Sequence, residues 1–442
     1  MESKANGNRV LILGASWAGA YCAPALHDTA RKSGAPVPQI TVVDRKNFIL
    51  NTALLPEVLS NSLNPLSIVP ALRRLWGRRD INFIQAEILS IDVEAKRVST
   101  STGDLEYDTL VLALGGETNY FNNESFWKYG WPFKNMADGL KLRNHVIDLL
   151  ERANASSDLA EKRRLLTFVQ AGAGACGLEV MTELREFLHK VVGKSYRNLS
   201  MHRDVQLILA EGLPRVLAGM PQTCSDAACE KLTKQGIDIR LNTFVKAAGP
   251  GWVELASGDR IETETLIWVA GTKAVPLIAN IPCEHDRAGR IKVDKFHRVP
   301  GLDGVYAIGD AAHFIGEDGQ PLGTTAQTAV QQGPNLARNL IKQSLGQAPT
   351  PYKYHYRGDL VSIGTLDSVT TPFGREVRGP LGWLMFKWVY FWKTPTMQNR
   401  FHILSDWFLG AVSGRMVASL EMNNGVSPLD FIAEETAAVE KA

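Results

Sequence analysis

The residues with the clearest chemical meaning are three glycines, Gly172, Gly174 and Gly177, in the run 167–183. A short apolar run at residues 165–169 comes before them and indicates a buried parallel strand, and a helical pattern follows. The first glycine permits a tight turn, the second lets the backbone approach a pyrophosphate, and the third allows helix and strand to pack closely. Because the diphosphate would lie at the helix N-terminus, the spacing predicts a dinucleotide site.

A near copy of this motif lies at the N-terminus, where Gly14, Ser16 and Gly19 follow the apolar run 9–13. Ser16 stands where the second glycine is usual. Its side chain is small enough to let a diphosphate approach, and its hydroxyl can donate a hydrogen bond to it. Two nucleotide sites in one chain indicate that electrons pass between two bound cofactors.

An acidic residue ends the strand that follows each motif. Asp44 follows the predicted strand 39–43, and Glu211 follows the predicted strand 205–210. A carboxylate at this position accepts hydrogen bonds from ribose hydroxyls. Glu211 would also repel a 2′-phosphate, which predicts a preference for NADH over NADPH. The alternative for Asp44 is that it only caps a strand or a loop.

Two further glycine turns end predicted strands. Gly115 follows the strand that begins near residue 106, and Gly309-Asp310 follows the strand within residues 301–311. The second turn places one carboxylate at the carboxyl end of a parallel sheet, where ligands bind.

The helix after Asp310 carries a pair of glutamines, Gln327 and Gln331, which are four residues apart and therefore share one face. They could bind a ligand together or only hydrogen-bond a helix end.

Composition limits the class of protein. The chain has 442 residues, enough for two or three domains, and a formal net charge of +2, which gives no argument for nucleic-acid binding. No signal peptide and no run of 18 or more apolar residues is visible, and the five cysteines are an odd number. We therefore expect a cytosol-facing protein without structural disulfides.

The tail from residue 379 is rich in aromatic residues with basic residues between them. This composition suits a lipid headgroup boundary, so the tail is predicted to dock on a membrane surface, with Lys387, Lys393 and Arg400 facing anionic lipid. Its longest apolar stretch has about thirteen residues, whereas a membrane span needs about twenty. A buried core element or a dimer interface is the alternative.

These features together resemble the type II NADH:quinone oxidoreductases, monotopic flavoproteins of the two-dinucleotide-binding-domain superfamily. The resemblance covers nearly the whole chain, and its most specific part is A-Q-T-A-V-Q-Q-G at residues 326–333. The other matching segments are G-A-S-W-A-G, Y-D-T-L-V-L-A-L-G, G-A-G-A-C-G-L-E, Y-A-I-G-D-A-A and the aromatic tail. The chain departs from the family pattern at Ser16, Leu114, Ala173 and Ala175.

The resemblance implies an α/β fold with two Rossmann-like, doubly wound dinucleotide-binding domains, one inserted in the other, and a helical C-terminal membrane-docking region. The implied boundaries are 1–120 and 286–378 for the FAD domain, 121–285 for the NADH domain and 379–442 for the docking region.

The resemblance also implies the ligands. FAD would be bound noncovalently, NADH would be the electron donor and a membrane quinone the acceptor, with no metal. The implied place is the inner face of a bacterial plasma membrane or an organelle membrane. A homodimer is left open. FAD would contact Gly14, Ser16, Gly19, Asp44, Gly115, Gly309 and Asp310, and NADH would contact Gly172, Gly174, Gly177 and Glu211.

Three residues take catalytic positions by resemblance. Glu179 matches a carboxylate near nicotinamide and flavin, and Gln327 and Gln331 match residues near the flavin ring and quinone. Glu179 could instead be an ordinary first-turn glutamate that complements the helix dipole.

Other redox proteins are alternatives. Cys224 and Cys229 have the C-x4-C spacing of redox disulfides, but they follow the second strand of the NADH domain instead of the first helix of the FAD domain. A sulfide:quinone oxidoreductase would need a cysteine near the flavin, and none follows Cys283. A soluble FAD-dependent NAD(P)H reductase and a redox signalling flavoprotein of the apoptosis-inducing-factor kind stay open.

Overall fold

The computed structural model describes residues 8–420. Residues 421–442, the last part of the predicted docking region, lie outside the described residues. The chain divides into two compact units. The first unit consists of the chain up to Leu50, Val69–Glu117 and Thr272–Tyr356. The second unit consists of Asn51–Ile68, Thr118–Gly271 and the chain from Arg357. The boundaries of the ligand-binding domains stay a prediction.

The first unit is built on a five-stranded parallel sheet. Its strands, in spatial order, are Val305–Ala307, Thr109–Leu112, Arg9–Leu13, Gln39–Asp44 and Ile81–Gln85. The three central strands are mostly apolar and buried, as is usual for a parallel sheet covered on both faces. The order is that of a doubly wound dinucleotide fold, so the predicted fold class is confirmed for this unit.

The other elements of the first unit surround this sheet. Its helices are Trp17–Ser33, Leu72–Trp76 and Ala326–Ser344, with 3₁₀ turns at Pro276–Ile278 and Gly309–Ala311. An antiparallel sheet contains Ile88–Asp92, Arg97–Thr100 and Gly103–Glu106, and Ile291–Lys292 pairs with Ala312–His313. Two short strands, Gly116–Thr118 and Thr272–Ala274, lie at the unit boundaries in the sequence.

The second unit repeats the same plan. Its parallel sheet has the order Ile237–Arg240, Gln206–Ala210, Thr167–Ala171, Thr265–Trp268 and Gly130–Pro132. Since its longest segment lies between two segments of the first unit in the sequence, the predicted insertion of one Rossmann-like fold in the other is confirmed.

Helices and two small antiparallel sheets complete the second unit. The helices are Leu55–Leu59, Glu124–Tyr129, Met136–Ala155, Leu159–Leu165, Ala175–Val191, Met201–Asp204, Gln222–Lys234, Gly379–Lys393 and Met397–Val412, and the 3₁₀ turns are Thr52–Leu54, Pro65–Ile68 and Pro372–Gly374. The antiparallel strands are Val245–Gly249, Trp252–Leu255 and Arg260–Glu262, then Leu360–Ser362, Ser368–Thr370 and Val377–Arg378.

Two predicted strands differ from the structure. The strand expected at residues 165–169 runs from Thr167 to Ala171, because Asp158 caps a short helix that continues through Leu165. Residues 81–98 alternate in the sequence as a hairpin does, but Ile81–Gln85 joins the parallel sheet and the antiparallel pairing begins only at Ile88.

The two C-terminal helices rest on the second unit's own elements. A Cβ at Gly382 would lie 2.6 Å from the Ser368 hydroxyl and 2.9 Å from the Val377 carbonyl, so this glycine lets the helix lie directly on the small sheet. Among residues 8–420, no helix combines the length and the apolar character that crossing a membrane requires.

Candidate functional site

The first glycine turn connects the strand Arg9–Leu13 to the helix Trp17–Ser33. Gly14 has φ 97°, a left-handed value that favours glycine, and its amide donates to the Val43 carbonyl at 2.8 Å. A Cβ at Gly19 would lie 1.9 Å from the Gly14 carbonyl oxygen, so only glycine permits this close packing of helix on turn. Ser16 is exposed at the helix N-cap and its hydroxyl does not cap the helix. The hydroxyl is therefore open to a ligand, and its bond to a diphosphate stays a prediction.

Asp44 holds this turn in place. Its Oδ2 accepts a hydrogen bond from the Ala15 amide at 2.7 Å, and its Oδ1 accepts one from the Lys46 amide at 2.8 Å. A carboxylate has about four acceptor positions, so two bonds leave capacity for ribose hydroxyls. The capping role considered for Asp44 is present, and it is compatible with the nucleotide role.

The second glycine turn has the same construction in the other unit. Gly172 has φ 102°, and a Cβ at Gly177 would lie 2.2 Å from the Gly172 carbonyl oxygen. A Cβ at Gly174, in contrast, would meet no protein atom within 4 Å. Protein packing therefore requires the third glycine but not the second. Open space at the second glycine is what a diphosphate at the helix N-terminus needs.

Glu211 repeats the role of Asp44. Its Oε2 accepts from the Ala173 amide at 2.7 Å and its Oε1 from the Leu213 amide at 2.9 Å. In both units, the acid at the end of the second strand binds the amide that follows the first glycine. The two units thus share the same arrangement of glycine turn and acid. In each unit these residues fit an adenine dinucleotide.

A third turn lies at the carboxyl end of the first sheet. Gly309 has φ 69° and opens a 3₁₀ turn with Asp310, and its amide donates to Oε1 of Gln332 at 2.6 Å. A Cβ at Gly116, next to Gly115, would lie 3.6 Å from the Asp310 Cβ. The structure thus brings the predicted FAD residues Gly115, Gly309 and Asp310 to one edge of the sheet.

Sequence reasoning missed Gln332. Its side chain is only 1% exposed, so it is part of the core under the Gly309 turn. The next residue, Gly333, lets the two long helices of this unit touch, because a Cβ there would lie 2.4 Å from the Ala18 carbonyl. The signal available in the sequence was the glycine that follows Gln332, because a glycine within a helix can mark a close contact with another helix.

Gln327 and Gln331 lie on the helix Ala326–Ser344, which Thr325 caps through the Thr328 amide. The Gln331 amide nitrogen donates to the carbonyls of Gln327 at 3.1 Å and His355 at 3.0 Å, and its oxygen accepts from the His355 amide at 3.0 Å. Gln331 therefore holds the chain at His355 with a two-way hydrogen bond. Its acceptor-side role stays a prediction.

Glu179 is buried in the second unit, with 7% of its surface exposed. Its Oε1 accepts a hydrogen bond from the Ser362 amide at 3.3 Å. Burial raises the pKa of this carboxyl well above its ordinary value, and the charges of Glu57 and Glu183 act in the same direction. Glu179 is thus a buried residue of the helix Ala175–Val191 and not a solvated first-turn glutamate. Its catalytic role stays a prediction.

A group around Glu57 was also missed. Glu57 is 4% exposed, and its Oε2 accepts from the Lys387 ammonium at 2.7 Å and from the Trp407 indole at 2.8 Å. The expectation that Lys387 faces lipid is therefore wrong, because its ammonium is bonded to a buried carboxylate and its side chain is largely enclosed. The only local signal was an acid inside an apolar, proline-broken segment.

The cysteines form no disulfide. All five lie within residues 8–420 and all are free thiols. Cys224 and Cys229 share the helix Gln222–Lys234, where residues five apart are poorly placed to form a disulfide.

Residues 8–333 match the family model described as pyridine nucleotide-disulphide oxidoreductase. A protein of Staphylococcus saprophyticus named type II NADH:quinone oxidoreductase is 28% identical, over 84% of this chain and 91% of its own length. The Mycobacterium tuberculosis protein named type II NADH:quinone oxidoreductase NdhA is 29% identical, over 94% of this chain and 90% of its own length.

A solved structure agrees in fold. NDH2 from Plasmodium falciparum, solved with NADH, has a TM-score of 0.85 at 21% identity and covers 93% of this chain and 100% of its own. The resemblance drawn from the motifs is confirmed. With a family model spanning both glycine turns and both acidic strand ends, the chain belongs to the pyridine nucleotide-disulphide oxidoreductase family.

Proposed function

We propose that this protein is an FAD-dependent enzyme that oxidises NADH and reduces a membrane quinone. The observation that carries the proposal is the duplicated glycine turn and acid, which provides two dinucleotide sites in one chain. Its similarity, over most of both lengths, to proteins named type II NADH:quinone oxidoreductase supports the donor and the acceptor.

FAD is assigned to the first unit and NADH to the second. Gly14, Ser16 and Gly19 would receive the FAD diphosphate, Asp44 the ribose, and Asp310 the neighbouring part of the cofactor. Gly172, Gly174 and Gly177 would receive the NADH diphosphate, and Glu211 its ribose. FAD held by these residues would supply the redox chemistry, namely hydride acceptance from NADH and two-electron reduction of quinone.

The chain's own side chains supply binding, orientation and protons. We assign proton exchange to the carboxyl group of Glu179, because this group is buried and burial raises its pKa. Gln327 and Gln331 are assigned to the acceptor side. Since the Gln331 amide also holds the chain at His355, this residue would order that side of the site.

We further propose that the helices Gly379–Lys393 and Met397–Val412 dock the protein on a membrane. Their exposed side chains are strongly apolar, with exposed fractions from 45% to 73%: Leu381, Leu384, Trp388, Trp392, Met397, Phe401, Leu404, Phe408, Leu409 and Val412. So many exposed apolar side chains on two adjacent helices are typical of a membrane or protein interface. At 15 and 16 residues, each helix is shorter than the roughly 20 needed to span a bilayer.

Docking of this kind explains how a water-soluble donor and a lipid-soluble acceptor reach one protein. Lys393 is exposed and could meet anionic lipid. Arg400 instead donates to the carbonyls of Thr394 and Trp392, at 2.8 and 2.9 Å. Peripheral attachment to the cytosolic face, as for a monotopic protein, is our proposal for its location.

The function is tested by an NADH oxidation assay on the purified protein reconstituted with FAD. We expect turnover that depends on a short-chain quinone and yields one quinol per NADH. Equal rates with quinone absent and oxygen as acceptor would support a soluble reductase or oxidase instead. Flavin that is reduced by NADH but does not turn over with quinone would support a signalling flavoprotein.

A further inference from the structure

The segment Asn51–Ile68 fastens the two C-terminal helices to the second unit. Besides the two bonds at Glu57, Asn399 donates to the carbonyls of Leu66 and Ser67, both at 3.0 Å. Asp406 accepts from the Asn64 amide at 2.9 Å and from the Ser67 hydroxyl at 2.6 Å. Most of these hydrogen bonds only attach the helices to the segment. The bonds at Glu57 differ because they involve buried charged groups.

Lys387 is enclosed where it meets Glu57. Its side chain is 14% exposed, and its ammonium lies 4.5 Å from the centre of the Trp407 ring and 5.5 Å from that of the Trp383 ring. Aromatic faces attract a desolvated cation, and the carboxylate completes its surroundings. The ammonium is therefore held in one place and not free to follow solvent.

The short helix that carries Glu57 packs against the helix that carries Glu179 and Glu183, so three carboxyl groups lie in the region of this single ammonium. Lys387 is bonded to Glu57 and its charge also acts on Glu179 and Glu183. Glu57 Oε1 and Glu183 Oε2 are buried and make no hydrogen bond within the described residues. Carboxylates in such a group cannot all be ionised at low cost, because like charges at short range repel strongly away from water.

We propose that Glu57 is a positioning residue for the reaction: its carboxylate holds the Lys387 ammonium beside Glu179 and Glu183 and thereby sets which of these groups carries a proton. The proposal rests on the proposed function, because it gives Glu179 a proton to exchange during quinone reduction. Glu57 itself touches no substrate in this account.

The surroundings of Glu179 determine the direction of the effect. Burial raises its pKa most, the Ser362 amide lowers it, Glu57 and Glu183 raise it and Lys387 lowers it. Arg415 and Ser60 act on Glu183, and Cys176 and Tyr390 also lie within range of the Glu179 charge. Neutralising Glu57 should therefore lower the pKa of Glu179, and removing the ammonium should raise it.

The test is an infrared pH titration of the protonated, buried carboxyl group, with its band assigned by its loss in Glu179→Gln. In Glu57→Gln we expect the band to disappear at lower pH than in the wild type, because the amide oxygen can still accept from Lys387 and Trp407 while one negative charge is gone. In Lys387→Gln we expect it to persist to higher pH.

Asp406→Asn is the matched control, since it neutralises an acid on the same anchored helices that does not act on Glu179. Its titration should equal that of the wild type. The pH at which quinone turnover falls should move in the same direction as the band in each variant, with flavin content unchanged.

Identical titrations in wild type, Glu57→Gln and Lys387→Gln would overturn the proposal and leave Glu57 an anchor. If Glu57→Gln does not fold, the shift of the Lys387→Gln titration decides alone: a band that persists to higher pH supports the proposal, and an unshifted band overturns it. A wild-type protein without quinone turnover would remove the proposed function, yet the infrared titration would still decide the role of Glu57.

Discussion

Each glycine in the two turns carries a different constraint. Gly19 and Gly177 are required by the protein itself, because a Cβ would overlap the carbonyl oxygen of Gly14 or Gly172. Gly174 has no such neighbour, and Ser16 occupies the equivalent place in the first unit. The second position of each motif is thus left to the ligand.

This difference predicts opposite effects of the same substitution. Gly174→Val should weaken NADH binding about tenfold or more, roughly 1.4 kcal/mol, and should lower the melting temperature only slightly, because valine is a poorer N-cap but meets no protein atom. Gly177→Val should lower the melting temperature by several degrees because helix and turn must separate. Calorimetric NADH titration and thermal unfolding check both variants; a Gly174→Val protein that binds NADH normally would contradict the assignment.

Glu211 should set the choice of nicotinamide cofactor. Its carboxylate would lie against a 2′-phosphate, and charge repulsion there costs binding energy. We expect the ratio of kcat/KM for NADH over NADPH to fall about tenfold in Glu211→Gln, a change of about 1.4 kcal/mol. The matched control is Asp238→Asn, which also removes one negative charge and lies on the neighbouring strand. An unchanged ratio would refute the role of Glu211.

His297 should make the protein sensitive to acid. It is fully buried, neither ring nitrogen has a partner within the described residues, and burial lowers its pKa to about 3. The unfolded chain binds a proton below about pH 6.5, so stability is full above that value and falls as pH decreases, by about 1.4 kcal/mol per pH unit until the folded pKa is reached. His297→Phe should flatten this decline in denaturant titrations at several pH values; an unchanged slope would assign the acid sensitivity to other groups.

At the scale of elements, the sequence predicted what local patterns determine. The strands Arg9–Leu13 and Gln206–Ala210 and the long helices near them follow from apolar runs, glycine turns and capping residues. The Glu57–Lys387 pair could not be predicted in this way, since its partners are 330 residues apart and no local period connects them. For the same reason Lys387 was expected at the lipid surface.

The exposed face of the C-terminal helices should bind lipid. Replacing Trp388, Phe401 and Phe408 with serine should abolish flotation with anionic liposomes, because these side chains are 61%, 65% and 70% exposed and support no core. The control replaces Leu159, Leu213 and Phe244, exposed apolar residues elsewhere in the second unit, with serine. Equal flotation of both triple variants would argue against docking through these helices.

At the scale of the whole molecule, two copies of one nucleotide-binding plan account for most of the chain. The presence of two copies was visible in the sequence, because each copy begins with its own strand, glycine turn and acid. The insertion of one in the other was implied by the family resemblance and is confirmed by the structure. The assignment of Asn51–Ile68 to the second unit was not visible, because it depends on contacts with helices at the other end of the chain.

The central claim is that this chain passes electrons from NADH to quinone through one bound flavin. It is tested most directly by anaerobic stopped-flow absorbance of the FAD-loaded protein in two successive mixes. We predict that one equivalent of NADH bleaches the flavin and that one equivalent of a short-chain quinone restores it, at rates no slower than steady-state turnover. Flavin that stays bleached after quinone is added, or that never reacts with NADH, would contradict the account.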